Sequence, residues 1–353
     1  MSESLSEIAD CTHGVHSLEY AESFDSLWDS ALKCRCNVGW KPSVKQYMNN
    51  IAVMTYRNAL KLQTGKWEDG ETKPITITYP KKREGLAVRF PDRVVQRSLN
   101  DNILYPEMAR HFVNANCACQ KGKGTDYARM LAKKSLHRNY LKYGTDFYVL
   151  LIDISGYYPN MRHDIVHAMF ARYLQPSVVE RIDRILDKQC NGDIGYYPGS
   201  QLVQIAGISL LNGIDHIIKE KLGCRDYVRV MDDFLLMHPC KEYLEICLEE
   251  ICALLSELGF KTNPKKTKIV SIKEGFTWLG FRYSLGTRHE FVMTPKSESI
   301  RHERKKLARL RKVCTREKAD ECLTSYLAYI ERGNTYRLQQ RLIAYQNELW
   351  RKI

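Results

Sequence analysis

Three carboxylates differ from the other acidic residues of this chain in what surrounds them. Asp153 ends the apolar run Phe147-Tyr148-Val149-Leu150-Leu151-Ile152, and Asp232-Asp233 lie between Val228-Arg229-Val230-Met231 and Phe234-Leu235-Leu236-Met237. An ionised carboxylate in apolar surroundings is costly unless a cation neutralises it, and oxygen-only ligands favour a hard ion such as magnesium. Two such ions about 3.5 to 4 Å apart can activate a hydroxyl nucleophile and stabilise a departing pyrophosphate, so these residues point to displacement at phosphorus. The plain alternative is a β-turn capped by Asp-Asp, with Asp153 in an unrelated salt bridge. The strand-ending Asp153 some way upstream weighs against it.

The elements that must position these groups can be read around them. The apolar run ending at Asp153 has the pattern of a buried central strand, and Tyr227 to Met237 reads as a hairpin with its acidic pair at the tip. Helices are expected near His163 to Leu174, from about Gln201 to Lys221 and from about Lys241 to Leu258, with a turn at Gly195 to Ser200 and strands around Lys268 to Ile272 and Phe276 to Tyr283. Upstream, Ser23 to Gln63 carries apolar residues at helical spacing for two or three helices, and Ile75 to Tyr79 is β-branched enough for a short strand before Pro80. A helix is expected from about Asp92 to Arg110, with Pro91 just before its cap. Ser297 to Trp350 is basic and helical in period, interrupted only at Thr315 and Gly333-Asn334. This mixture predicts an α+β fold followed by a helical subdomain.

The bulk numbers set bounds. A chain of 353 residues exceeds what one hydrophobic core usually supports, so two or three subdomains are expected. A formal net charge of +13 marks a surface that attracts polyanions, nucleic acid being the usual one. The cations cluster at Lys81-Lys82-Arg83 with Arg89, Arg93 and Arg97, and again from Arg301 to Lys318, as two walls of a groove would. No segment approaches 18 uninterrupted apolar residues, and Met1 to Asp10 is polar and acidic where a signal peptide would be basic and then apolar; a cytoplasmic protein with no membrane partner is expected. The 12 cysteines are dilute and read as reduced thiols; Cys34/Cys36 and Cys117/Cys119 lack zinc-finger spacing. Lys121-Gly122-Lys123-Gly124-Thr125 is close to a phosphate loop, but Cys117 occupies the first glycine position of that spacing, so it is set aside.

Five blocks in order resemble the prokaryotic reverse transcriptases, the lineage of group II intron, diversity-generating retroelement and phage-defence enzymes. They are Lys82-Arg83 through Asp92-Arg93-Val94-Val95-Gln96; Asp153-Ile154-Ser155-Gly156-Tyr157-Tyr158-Pro159; Gly199 to Gln204 with Leu211-Asn212-Gly213-Ile214-Asp215-His216; Tyr227 to Phe234; and Asn263-Pro264-Lys265-Lys266-Thr267 with Phe276-Thr277-Trp278-Leu279-Gly280-Phe281. The likeness covers roughly residues 70 to 290 and is specific as an ordered set.

The resemblance implies a right-hand polymerase: N-terminal helices and fingers over 1–146, an antiparallel-sheet palm over 147–290 with part of the fingers near 175–200, and a helical basic thumb over 291–353. It implies an RNA-directed DNA polymerase that adds dNTPs to a 3′-hydroxyl with two Mg²⁺ ions, Mn²⁺ being a substitute. Asp153, Asp232 and Asp233 would hold the metals, with the Ile154 carbonyl as an extra ligand. Lys266 would protonate the leaving pyrophosphate. Lys82, Arg83 and Arg89 would clamp the triphosphate, Tyr158 would meet the sugar, and Gly199 and Gln204 would approach the base pair. Met231, Trp278, Leu279 and Gly280 would hold the primer end, with Arg304, Lys305, Arg309 and Lys312 on the duplex backbone. Taken singly, these cations also read as solvated surface charge, Tyr158 as a core aromatic and Gly199 as a turn glycine. Implied partners are an RNA template and a DNA or RNA primer; a structured noncoding RNA or an accessory protein is an open addition.

The chain departs from the family in two places. Val230 stands where the commonest hairpin has Tyr, and Val203-Gln204 where Ser-Gln or Ser-Pro is common. With the chain ending at Ile353, strand cutting and RNA removal are expected to come from elsewhere. Three readings stay open: a retroelement enzyme, an antiviral defence enzyme making untemplated, repetitive or protein-primed DNA with a bound noncoding RNA, and a non-catalytic nucleic-acid-binding protein. The intact carboxylates argue against the last.

Overall fold

A computed structural model of the chain describes residues 17–78, 83–190, 192–286 and 290–351. It divides into two compact units, each assembled from three stretches of sequence: Met1–Lys121, Ile154–Lys221 and Glu250–Asn263 in the first, and Gly122–Asp153, Leu222–Glu249 and Pro264–Ile353 in the second.

The first unit is mainly helical. Ser23 accepts a hydrogen bond from the Ser26 N–H and so caps the Phe24–Arg35 helix, which buries Leu27, Ala31 and Cys34 on one face. That helix packs on Phe90–Leu99, whose Val94, Val95 and Leu99 are buried. A polar tie runs to the turn of helix before it, Leu18–Ala21, where Ser98 Oγ donates to the Ala21 carbonyl at 2.6 Å. With Pro42–Asn49 and Ile51–Gln63, three helices stand between Ser23 and Gln63, where two or three were expected. Strands β1 (Lys73–Ile77) and β2 (Arg83–Ala87) form an antiparallel hairpin, so the expected strand starts two residues early; Tyr79 to Lys82 lie outside the described residues.

The single helix expected from Asp92 to Arg110 is divided. Its first part begins at Phe90 with Pro91 inside the first turn, where a missing N–H costs nothing. The backbone then loosens into a π-turn over Asn100–Leu104, in which the Tyr105 N–H reaches back to the Asn100 carbonyl, and resumes as Tyr105–Ala109. Pro106 has no N–H to return to the turn before it, which accounts for the change of pitch. The long helix expected over Gln201 to Lys221 is likewise interrupted at Leu211, ahead of the poor helix formers Asn212 and Gly213, into Gln201–Leu210 and Asn212–His216. One helix went unforeseen. Pro176–Asp187, after His163–Tyr173, buries Val178, Val179, Ile182, Ile185 and Leu186.

The second unit holds an antiparallel four-stranded sheet of order β4-β5-β3-β6, with β3 at Tyr148–Asp153, β4 at Asp226–Val230, β5 at Asp233–His238 and β6 at Lys268–Ser271. The apolar run became an interior strand as expected, with Val149, Leu150, Leu151 and Ile152 all buried. Each such side chain contributes about 1.5–3 kcal/mol of hydrophobic stabilisation. The Thr125–Tyr143 helix packs on β4 and β5. A second sheet joins β7 (Phe276–Trp278), β8 (Phe281–Leu285) and β9 (Phe291–Pro295). The strand expected over Phe276 to Tyr283 is thus two strands folded at Leu279-Gly280, and β9 was not foreseen.

Three helices follow, Ser297–Val313, Arg316–Ile330 and Tyr336–Arg351, with breaks at the expected places. Leu307, Leu323, Ile330 and Leu342 form their core, with Tyr326, Leu327, Tyr329, Leu338 and Tyr345 packed around it. Gly333 has no substitute in its turn, since a Cβ there would lie 2.4 Å from the Met293 carbonyl oxygen. Among the described residues every cysteine is unbridged, and no helix is long and apolar enough to cross a membrane.

Candidate active site

The hairpin that carries the acidic pair is tight. Val230 and Asp233 are its last register partners, which leaves Met231 and Asp232 as a two-residue turn. Met231 has φ 55°, the left-handed conformation that such hairpins require and that glycine usually supplies. A side chain there costs about 1–2 kcal/mol. The turn is braced from below: the fully buried Arg229 donates from Nη1 to the Met231 carbonyl at 2.9 Å, and its guanidinium lies 5.8 Å from the Phe234 ring centroid.

Register then decides what meets what. Asp153 is the direct partner of Asp233 across β3 and β5, so the two carboxylates share one face at the end of the sheet. On the other side of β3, Leu151 pairs with Lys268, and continuing that register by two residues brings Lys266 level with Asp153. Lys266 Nζ stands 2.5 Å from Asp153 Oδ1, and the Asp153 N–H donates to Thr267 Oγ1 at 3.3 Å. Burial, then the charges of Asp232 and Asp153, push the Asp233 carboxyl up to about 7, against the opposing pull of Lys266 and Lys296.

These groups can be tested for fit to a divalent cation. The donors are hard oxygens, and Asp233 is raised by burial first and then by the charges of Asp232 and Asp153, so added positive charge there would favour its ionised form. Among the described residues no three acidic, histidine or cysteine side chains close into a finished metal-holding set, and the Lys266 ammonium sits on Asp153 in a cation's place. The donor chemistry therefore fits a hard cation, with side-chain rotation needed to complete the shell.

The other candidates in the second unit fall in two groups. Trp278, Leu279 and Gly280 make the bend between β7 and β8, with Leu279 at φ 44° and Gly280 at φ 85°. Arg129 fixes that bend by donating from Nη2 to the Leu279 carbonyl at 3.0 Å, while its guanidinium stacks 5.0 Å from the Phe281 ring centroid. Arg304, Lys305, Arg309 and Lys312 are exposed along Ser297–Val313, and Arg304 lies 4.5 Å from the Tyr345 ring centroid.

In the first unit, Ile154 bridges Thr262. Tyr157 is buried and donates to the Gly207 carbonyl at 2.5 Å, whereas Tyr158 is half-buried against the same glycine, where a Cβ would meet both rings. Gly199, at φ 140°, would place a Cβ 3.3 Å from the Leu86 carbonyl oxygen, so a close backbone approach there is real. Gln204 lies 4.0 Å from Cys119 Sγ. Arg89 is engaged with the buried Asp92 through two hydrogen bonds, Nε at 2.9 Å and Nη2 at 3.1 Å. Lys82 lies outside the described residues, as does the side chain of Arg83.

Sequence reasoning missed Arg229, Arg129 and Thr267 as positioning residues. Only Arg229 left a trace, as a lone cation among apolar strand residues beside the acidic pair.

Comparison with known proteins bears on this arrangement. A family model described as reverse transcriptase (RNA-dependent DNA polymerase) matches residues 88–283. No curated protein matches. Among solved structures, the telomerase of Candida albicans in complex with a fragment of telomeric RNA is 13% identical with a TM-score of 0.47, covering 68% of this chain and 49% of that one. Apo telomerase of Candida tropicalis is 11% identical with a TM-score of 0.45, covering 66% of this chain and 50% of that one. The chain spans about half the length of these structures. The family match takes in more than half of the chain, including Asp153, the Asp232-Asp233 hairpin and Lys266. On that span the chain belongs to the reverse transcriptase (RNA-dependent DNA polymerase) family, enzymes of α+β right-hand polymerase fold.

Proposed function

We propose that this chain copies an RNA template by adding dNTPs to the 3′-hydroxyl of a DNA or RNA primer, with Asp153, Asp232 and Asp233 as its metal ligands. The register opposition of Asp153 and Asp233 beside Lys266 is the observation that carries this reading. Together with the Ile154 carbonyl, the three carboxylates would hold two Mg²⁺ ions, for which Mn²⁺ can substitute. Bound there, the ions would supply Lewis-acid activation of the primer hydroxyl and charge neutralisation at the leaving pyrophosphate. Lys266, released from Asp153, would give a proton to that pyrophosphate.

The remaining roles follow the same division. Residues 1–146 would form the fingers, with Lys82 and Arg83 on the triphosphate and Arg89 holding Asp92 in place. In the palm, 147–290, Tyr158 would face the sugar, Gly199 and Gln204 the nascent base pair, and Met231 with Trp278, Leu279 and Gly280 the primer end. The thumb, 291–353, would set Arg304, Lys305, Arg309 and Lys312 along phosphates. The order of motifs favours a prokaryotic lineage and a cytoplasmic retroelement or antiviral defence enzyme. Nucleic acid recovered with the purified protein separates these: cDNA copied from one RNA indicates a retroelement, and repetitive sequence indicates defence synthesis on a bound noncoding RNA.

The central test is Asp232→Asn. This variant should bind primed RNA nearly as tightly as wild type and fail to extend it. Extension at the wild-type rate would overturn the assignment.

A further inference from the structure

Arg129, which holds the Leu279-Gly280 bend, is itself held by a carboxylate that serves a second guanidinium. Asp126, in the first turn of the Thr125–Tyr143 helix, accepts from Arg129 Nη1 through Oδ1 at 2.6 Å. The same carboxylate accepts from Arg332 Nε, at 2.7 Å on Oδ1 and 2.8 Å on Oδ2. Arg332 follows the Arg316–Ile330 helix and is tied back to it, since its Nη1 donates to the Ala328 carbonyl. One arm of this clasp therefore runs from Asp126 through Arg129 to the Leu279 carbonyl, and the other runs through Arg332 to the end of a helix. All of these residues lie in the second unit.

An isolated ion pair at the surface contributes little, and Asp126 and Arg332 are 60% and 41% exposed. Asp126 differs because its other partner is buried. The Arg129 side chain is 8% exposed, and a guanidinium so far from water keeps its place only while its acceptors hold. The hydrogen bond from Arg332, ahead of every other influence, holds the Asp126 carboxyl below the usual carboxylate range, so it stays charged at neutral pH.

The bend at the far end of this chain of contacts needs outside support. Leu279 sits at φ 44°, a conformation that a residue with a side chain keeps only when its surroundings impose it. The bend also packs directly on the helix that Arg332 follows. A Cβ at Gly280 would lie 2.3 Å from the Tyr329 hydroxyl, and the Phe281 and Tyr329 rings have centroids 5.2 Å apart. Just beyond Arg332, the Asn334 N–H donates to the Met293 carbonyl of β9 at 2.8 Å. Contacts this close pass a displacement on rather than absorb it.

We propose that Asp126 is a positioning residue for the primer end: through Arg129 it holds the Leu279-Gly280 bend in its left-handed conformation, and through Arg332 it ties that bend to the Arg316–Ile330 helix. That role rests on the bend being the primer-end contact proposed above. Opening the clasp lets the bend relax and the primer end loosen. Asp153, Asp232 and Asp233 belong to the other sheet and keep their register.

The test uses the full chain with a primed RNA template and with the template strand alone. Extension by one nucleotide gives kcat and the KM for primed template, and fluorescence anisotropy without dNTPs gives Kd for both nucleic acids. Asp126→Asn keeps the size of the side chain and removes its charge. It should raise KM and Kd for primed template roughly tenfold, the scale of losing a charge-assisted hydrogen bond. It should leave kcat within about twofold of wild type, the pattern of a residue outside the chemical step, and leave Kd for the template strand unchanged. Asp126→Glu, which keeps the charge, should recover most of the affinity. Arg332→Gln should raise the same two constants, and the double variant should match Asp126→Asn alone, because both changes open one clasp. Arg332→Gln, at an exposed side chain, decides the matter if Asp126→Asn does not fold. The proposal is overturned if the constants for primed template do not move, if the template strand alone is weakened equally, if kcat falls while KM holds, or if the effects of the two single changes multiply in the double variant. A wild-type chain that extends no primer overturns the proposed function and this role with it, whereas an active wild type with an unaffected Asp126→Asn overturns this role alone.

Discussion

Asp153 and Asp233 are direct cross-strand partners at the end of β3 and β5, where burial and then the charges of Asp232 and Asp153 raise the cost of ionising Asp233. Like charges placed directly opposite destabilise a sheet. A strand pair selected for stability alone would not keep them. The same opposition is what a pair of cations would relieve, so the unfavourable contact and the proposed chemistry are one feature.

Asp233→Asn should therefore separate stability from activity. Removing one of the opposed charges should raise the melting temperature in EDTA by a few degrees, equivalent to about 1 kcal/mol. Primer extension should fall by about a hundred- to a thousandfold, the scale of losing a group that stabilises charge in the transition state. A variant that melts below wild type in EDTA would show that the opposition is not a source of strain.

The turn beneath the acidic pair makes a second prediction. Met231, at φ 55°, tolerates the left-handed region because its side chain is unbranched at Cβ. Met231→Val places a β-branched residue where it is a genuine outlier. Chemical denaturation should show a loss of about 1–3 kcal/mol, and extension should slow along with it. Met231→Gly should keep the hairpin and most of the stability.

How much of this was legible in the sequence differs from residue to residue. The strand ending at Asp153 was readable because an interior strand buries both faces and leaves an unbroken apolar run. The hairpin was readable from its short flanking runs. The partnership of Asp153 with Asp233 and the placement of Lys266 beside them were not, because they depend on register between distant strands, which no local pattern specifies. Arg229 left only the trace of a lone cation among apolar strand residues, since alternation along a strand marks a face without saying what lies under it. Pro176–Asp187 was missed although Val179, Ile182 and Leu186 recur at helical spacing. Pro176 opens that helix from within its first turn, where a missing N–H costs nothing. The division of the Gln201 to Lys221 helix at Leu211 turned on Asn212 and Gly213, whose weak propensities local apolar periodicity outweighed in the reading.

The exposed cations of Ser297–Val313 give a third prediction. If Arg304, Lys305, Arg309 and Lys312 each neutralise a phosphate, replacing all four with Gln should weaken duplex binding without regard to sequence. The slope of log K against log salt should become shallower by about 0.7–0.9 per lost contact. An unchanged slope would remove these residues from the duplex track and leave them as solvated charge on a helix that packs through Leu307.

The last prediction concerns pH. His216 donates toward Glu220 and toward the His111 carbonyl, and these two bonds, the Glu220 one first, raise its folded pKa above the ordinary value of 6.5. A cationic group raised in this way binds its proton more tightly in the folded chain. Its stabilising contribution is complete below the unfolded pKa and is lost as pH rises through the folded value. Because the imidazole is 40% exposed, solvent screening limits the contribution to a few tenths of a kcal/mol. NMR titration of the His216 ring should place its midpoint above that of an unperturbed histidine, and Glu220→Gln should bring it back most of the way. The same variant should flatten the fall in stability between pH 6 and 8. A midpoint at or below the ordinary value in the wild-type chain would mean that the two hydrogen bonds are not held in solution.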